Sequence, residues 1–265
     1  MRYLGDSPFD PPGFGNMGGK KRRPREVTEA DLLRRQMYEH PPADAVIDAI
    51  RPSGRQGVLW RVSVQSESEG IELLSVARLD RGVVDELHLS VGRVWTPALA
   101  SAVLEAAHRS EARRYAINAL AMRAMSAQRL REKIEDRGAP KEIAAQVVAD
   151  LERSGLIDDR VMAEQIGRSA LRSNPVGARV LEARLRRRGI APQIARQLTE
   201  PRDEVADAVR VGTKKLRILS AKLERPVAER RLMASLARRG FSPDVCRTVS
   251  RRLLAEREAD APTHE

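Results

Sequence analysis

Residues 130–138 read LREKIEDRG, residues 181–189 read LEARLRRRG and residues 232–240 read LMASLARRG. Their closing glycines, Gly138, Gly189 and Gly240, recur 51 residues apart. Each stretch sets two apolar residues four positions apart, on one helix face. Each ends in an arginine followed by glycine, the residue that takes the left-handed conformation just past a helix end. Pro140, Pro192 and Pro243 follow closely, placed to open the first turn of a next helix. That helix repeats its own apolar pair, Ile143 and Val147, Ile194 and Leu198, Val245 and Val249. Upstream of each pair the pattern predicts a further helix, over Tyr115–Met125, Asp159–Leu171 and Glu204–Leu219. A period of this length holds about three average helices with their turns. The prediction is therefore a mainly α protein, an elongated array of three tandem three-helix repeats that bury their apolar faces against one another. Such an array offers a long surface and no deep pocket.

Working outward, Val46, Ile47 and Ile50, the strict alternation of Val58, Trp60, Val62 and Val64, and then Ile71, Leu73, Leu74 and Val76 read as strands of a small antiparallel sheet. Pro52-Ser53-Gly54 and the polar run from Ser66 to Gly70 separate them. The sheet is short for a core of its own, so it is expected to lean on a helix beginning near Pro97. Residues 1–44 read as a disordered basic tail with one short helix near its end. The predicted organisation is tail 1–44, strand-bearing module 45–109, helical repeats 110–157, 158–202 and 203–256, and an acidic tail 257–265.

The chain has 265 residues, 42% of them apolar, 32% charged and 3% aromatic, a composition for folded amphipathic helix rather than for wholesale disorder. A single cysteine, Cys246, excludes an intramolecular disulfide and a cysteine-based zinc cluster. No uncharged apolar run is long enough to span a membrane. The N-terminus lacks the apolar core of a signal peptide, so a cytoplasmic location is expected. The net charge of +11 is unevenly distributed: residues 1–110 and 111–159 are each balanced, 160–254 carry an excess of +14, and the last eleven residues carry −3. One stretch thus holds the whole positive excess, as expected for a face that meets a polyanion or an acidic protein surface. With 41 Arg against 7 Lys, a merely solvated face in an arginine-rich composition is the alternative.

No catalytic constellation emerges, and neither metal nor cofactor is expected. His40, His88, His108 and His264 have no metal-ligand spacing. Asp158-Asp159 suits helix N-capping and the helix dipole better than a cation, which needs several converging oxygens. Cys246 falls on an inward position beside Val249 and reads as an inert core thiol. Gly13 to Gly18 match a dinucleotide fingerprint in spacing alone, with no strand before it and two prolines beside it. The better candidates are cations for partner or nucleic-acid contact: Arg184, Arg186, Arg187 and Arg188 at the end of one repeat helix; Lys214, Lys215 and Arg217; and Arg230, Arg231, Arg238 and Arg239. At helical spacing Arg184, Arg187 and Arg188 share a face. Between residues 116 and 265 the only aromatic is Phe241, at a core position, so bases have no stacking platform there. Contact with nucleic acid would be to backbone charge, weak and salt-sensitive.

Four segments together resemble the RecX family, bacterial regulators of the RecA recombinase. They are Ala116-x3-Leu120-x2-Arg123-x2-Ser126-x3-Leu130-x3-Ile134; Gly155-Leu156-Ile157-Asp158-Asp159-x3-Ala163; Gly177-x3-Leu181-x3-Leu185-x2-Arg188-Gly189-Ile190; and Leu232-x3-Leu236-x-Arg238-Arg239-Gly240-Phe241. The likeness covers about residues 110–254, with Val46–Arg93 similar in type to the family's strand-bearing N-terminal region. Two positions depart from the pattern. Arg129 stands where an acidic residue is usual, which removes a reciprocal capping box with Ser126, and Met162 stands where an aromatic is usual. The resemblance implies a non-enzymatic modulator, mainly an inhibitor, of RecA. It would lie in the groove of the RecA filament on single-stranded DNA, bridge protomers, and dampen ATP hydrolysis, strand exchange and co-protease activity. The rival from another class is a regulator that binds duplex DNA through helix-turn-helix-like units.

Overall fold

The left-handed turn predicted after each Arg-Gly pair occurs three times. Gly138, Gly189 and Gly240 take φ of 91°, 81° and 84° in the computed structural model, which describes residues 28–53, 59–173, 175–200, 203–220 and 223–259. Each turn follows a helix with a buried apolar pair, Leu130 and Ile134, Leu181 and Leu185, Leu232 and Leu236. The chain divides into two compact units, residues up to Arg123 with Leu130–Arg153, and Ala124–Arg129 with the remainder from Ser154.

The first unit contains α1 (Glu29–Glu39), β1 (Val46–Ser53), β2 (Leu59–Ser66), β3 (Ile71–Asp80), α2 (Arg81–Glu86), α3 (Pro97–Met122), most of α4 (Ala127–Glu135), and α5 (Lys141–Arg153). The strands form one antiparallel sheet in the order β1-β2-β3. Alternation puts Ile47, Val62, Val64 and Leu79 in a core with Trp95 and, from α3, Leu99, Ala100, Val103 and Ala107. The sheet leans on the helix beginning at Pro97, as expected.

Two expectations need correction here. Residues 28–44 are not part of a disordered tail: α1 is closed by a reciprocal capping box between Thr28 and Asp31 and buries Met37 and Tyr38 in the core. Tyr38 Oη donates to the Val76 carbonyl at 2.8 Å, and Trp95 Nε1 donates to the Met37 carbonyl at 2.8 Å. Burying two such side chains contributes about 2 kcal/mol each, enough to order a helix too short to stand alone. Leu33, Met37 and Tyr38 carry this face over two turns, and the sheet they pack against is what a local reading of residues 28–44 does not contain. Residues 1–27, with the basic run Lys20 to Arg25 and the glycines of the fingerprint, lie outside the described residues.

The helix expected at Tyr115 is the second half of α3. Thr96 caps that helix by accepting from Leu99 N–H, and Pro97 occupies its first turn. No glycine or proline follows before Met122, so nothing breaks it at the module boundary drawn at 109/110.

The second unit contains α6 (Asp159–Ser173), α7 (Ala178–Arg187), α8 (Pro192–Thr199), α9 (Glu204–Ile218), α10 (Arg225–Arg238) and α11 (Pro243–Ala259), together with the opening turn of α4. Its cores follow the repeat. Ala163, Leu181, Leu185, Ile190 and Ala195 form one, and Ala208, Leu232, Leu236, Phe241, Cys246 and Val249 the other. Helix α11 runs three residues into the predicted acidic tail, whose residues 260–265 lie outside those described, as does His264.

Candidate partner and nucleic-acid interface

The ends of the repeat helices decide how the cations are presented, and within the second unit one joint is built twice. In the first, the residues opening α4 meet those closing α7. Ser126 Oγ donates to the Arg188 carbonyl at 2.8 Å and accepts from Arg129 N–H at 3.3 Å, and the Arg129 guanidinium donates to the Arg187 carbonyl at 2.5 Å. In the second, the residues opening α7 meet those closing α10. Gly177 N–H donates to the Arg239 carbonyl at 2.9 Å, and Arg239 Nη1 donates back to the Pro175 carbonyl at 3.4 Å. A helix leaves its last carbonyls without intrahelical partners, and each joint supplies them. The departure at Arg129 thus has a use: instead of closing a capping box, its side chain reaches the neighbouring helix end.

The glycines make the approach possible. A Cβ at Gly189 would strike Ser126 Oγ and stand 2.9 Å from Arg129 Cγ; one at Gly240 would stand 2.6 Å from Val180 Cγ2; one at Gly177 would strike the Gly240 carbonyl.

Acidic pairs close each joint. Asp158 caps its own helix, accepting from Val161 N–H at 2.9 Å, as the sequence predicts. Asp159 does otherwise, accepting from Ala127 N–H at 3.0 Å and so capping α4. The second joint repeats the division: Asp203 accepts from Val205 N–H at 2.9 Å, while Glu204 accepts from Ala178 N–H at the start of α7. Burial pushes the Asp159 carboxyl up from its ordinary range, the Asp158 charge adds to this, and the Ala127 N–H opposes it. Sequence reading missed the outward reach of Asp159 and Glu204. Its trace was the recurrence of two adjacent acids at the head of successive helices.

With the carbonyls so engaged, the side chains at these ends are left to solvent. Arg184, Arg186, Arg187 and Arg188 are exposed on the last turn of α7 and its cap. Cations at a helix C-terminus gain about 0.3–1 kcal/mol from the dipole, so part of their effect is local. Lys214 and Arg217 are exposed and Lys215 half-buried near the end of α9, while Arg230, Arg231 and Arg238 are exposed on α10. Among the described residues, none of these ten cations forms an ion pair, whereas Arg196, Arg210, Arg225, Arg251 and Arg252 of the same unit each pair with a carboxylate. Arg239 differs from the others: it is half-buried and spent on Pro175. Phe241 and Cys246 are buried, at 5% and 2% exposure, so no aromatic of this unit is offered to a base. Among the described residues no group of three or more His, Cys, Asp or Glu side chains is placed to hold a metal ion, and no helix is long and apolar enough to cross a membrane.

Comparison with known proteins places this geometry. Residues 202–249 match the family model described as RecX, third three-helix domain. The chain is 31% identical over 163 residues to the regulatory protein RecX of Corynebacterium efficiens, covering 59% of this chain and 78% of the relative. It is 32% identical over 159 residues to the regulatory protein RecX of Mycolicibacterium smegmatis, covering 56% and 82%. A crystal structure of regulatory protein RecX shares the fold at a TM-score of 0.63 and 19% identity, over 78% of this chain and 99% of that one.

Proposed function

This chain belongs to the RecX family of regulatory proteins, and we propose that it is a non-enzymatic modulator, mainly an inhibitor, of the RecA recombinase in the cytoplasm. In this reading the helical repeats, residues 110–157, 158–202 and 203–256, address neighbouring subunits in the groove of the RecA filament on single-stranded DNA. Binding there dampens ATP hydrolysis, strand exchange and co-protease activity. The observation that carries the proposal is the division of labour at the helix ends. Carbonyls of Arg187, Arg188 and Arg239 hold successive repeats together, while the side chains of Arg186, Arg187, Arg188 and Arg238 beside them stay exposed and without ion pairs among the described residues. A periodic row of cations suits a periodic partner, because several weak contacts on one polymer add as avidity without any one tight site. Charge of this kind also steers association with an anionic assembly.

The test is RecA ATP hydrolysis on single-stranded DNA, titrated with the full chain and with a variant carrying R186E, R187E and R188E. The substitutions leave the Arg187 and Arg188 carbonyls in place, so the joint survives. Substoichiometric inhibition by the parent chain is expected, with the variant needing about ten times more protein, equivalent to about 1.4 kcal/mol of lost interaction. Equal inhibition by both removes the α7 cations from the interface. Duplex binding with no effect on RecA favours a DNA-binding regulator instead.

A further inference from the structure

One row of charge in the first unit belongs to no repeat. Strand β2 lies between β1 and β3, and its Arg61 is the register partner of Arg51 on one side and of Arg78 on the other. Directly opposed residues of antiparallel strands project from one face, and neighbouring strands lie about 4.8 Å apart. The three arginine stems therefore stand in single file across about 10 Å of sheet. The pairing is regular around them, with Pro52, Trp60 and Leu79 in the next row and Ile50, Val62 and Ala77 in the one before. Arg51 and Arg61 are exposed and Arg78 is half-buried.

Like charges placed directly opposite one another destabilise a sheet. For Arg51 and Arg61 no ion pair offsets the cost among the described residues. Arg78 is pushed below its ordinary range first by burial, then by the charges of Arg61 and Arg114 and, more weakly, Arg34, with Glu111 the one carboxylate acting against them. Glu111 is itself raised by burial and is also under the influence of Arg114 and Arg137. Arg51 and Arg61, both exposed, are thus open to an anion from outside.

We propose that the file Arg51, Arg61 and Arg78 is a contact site for the phosphate backbone of single-stranded nucleic acid. Guanidinium forks match phosphate oxygens in bidentate fashion. A single line of regularly spaced cations suits one backbone with regularly spaced charges, whereas duplex presents two backbones across a groove. Trp60, the neighbour of Arg61, points from the opposite face and lies under Arg81, whose guanidinium is 4.4 Å from the ring centroid. The site therefore reads charge and not bases. It is separate from the repeat cations and does not rest on the recombinase reading.

The experiment is anisotropy of a labelled thymidine oligonucleotide titrated with the full chain, without RecA, over a series of salt concentrations. The parent chain is expected to bind with a steep salt dependence. The R51Q/R61Q variant is expected to bind about tenfold more weakly at low salt, with a slope of log affinity against log salt shallower by about 1.4, two single-strand phosphate contacts. Its melting temperature stays equal or rises, because repulsion has been removed. R51K/R61K keeps the parent slope. Absent binding by the parent, an unchanged slope in R51Q/R61Q, equal binding of duplex, or equal competition by polyglutamate each overturns the assignment. Should R51Q/R61Q be destabilised, R51Q alone decides: a slope shallower by about 0.7 supports the site, and the full slope overturns it.

Discussion

The Arg-Gly signature occurs three times, but only two copies are seated. Gly189 and Gly240 are buried against the opening turns of α4 and α7, while a Cβ built on Gly138 meets no described atom within 4 Å. All three take positive φ. The difference separates two demands that the sequence merges. Every copy needs glycine for its own turn, and only a copy with a helix start packed on it needs glycine for lack of bulk. Counting one period back from Ser126 leads to Ser75, inside β3, so no helix start of the repeat exists to be seated on Gly138.

Three substitution experiments bear on that contrast, read by thermal unfolding, where each kcal/mol moves the midpoint by about 2–4 °C at this size. Gly177→Ala is expected to cost most, about 4 kcal/mol. Its φ of −70° admits alanine, so the whole loss comes from Cβ against the Gly240 backbone and from the strained bond to Arg239. A loss below about 1 kcal/mol would mean the joint is loose. Gly189→Ala is expected to cost about 3 kcal/mol, from the left-handed turn and from the collision with Ser126, against about 1 kcal/mol for Gly138→Ala, where only the turn objects. Equal losses would erase the distinction between seated and unseated copies.

The smallest effect sharpens the comparison from the acidic side. A carboxyl raised by folding holds its proton more tightly in the folded state. As pH rises from the ordinary aspartate range through the raised one, the folded state therefore loses stability relative to the unfolded. Asp159→Asn removes the charge and keeps an oxygen for Ala127 N–H. At pH 7 its melting temperature is expected to equal or slightly exceed the parent's, by no more than about 0.5 kcal/mol, with a flatter profile across the acid range. A fall of several degrees would show that the joint needs the ionised carboxylate.

The repeat was legible because it rests on local rules. Apolar pairs four apart, a glycine past the helix end and a proline after it each have a one-dimensional trace, and the starts of α6 and α9 fall at the predicted Asp159 and Glu204. What escaped depends on partners distant in sequence. Met37 and Tyr38 look unremarkable until the sheet and Trp95 meet them. Asp159 looks like the second half of an N-cap until Ala127 stands across from it. Arg51, Arg61 and Arg78 are scattered through a charge-balanced segment, and only the strand register sets them side by side, because loop lengths alone do not fix which residues of neighbouring strands pair. Continuity of α3 escaped for the opposite reason, since the absence of a breaker is a weaker mark than its presence.

Cys246 gives the native sequence a clock. Its thiol is 2% exposed, with Sγ 3.7 Å from the Phe241 carbonyl, and burial, with the charge of Glu204, pushes its pKa up. A thiol reagent needs an accessible thiolate, so labelling waits for α9, α10 and α11 to part. With no second cysteine to confuse the signal, the rate of modification counts how often the last repeat opens, in unmutated protein.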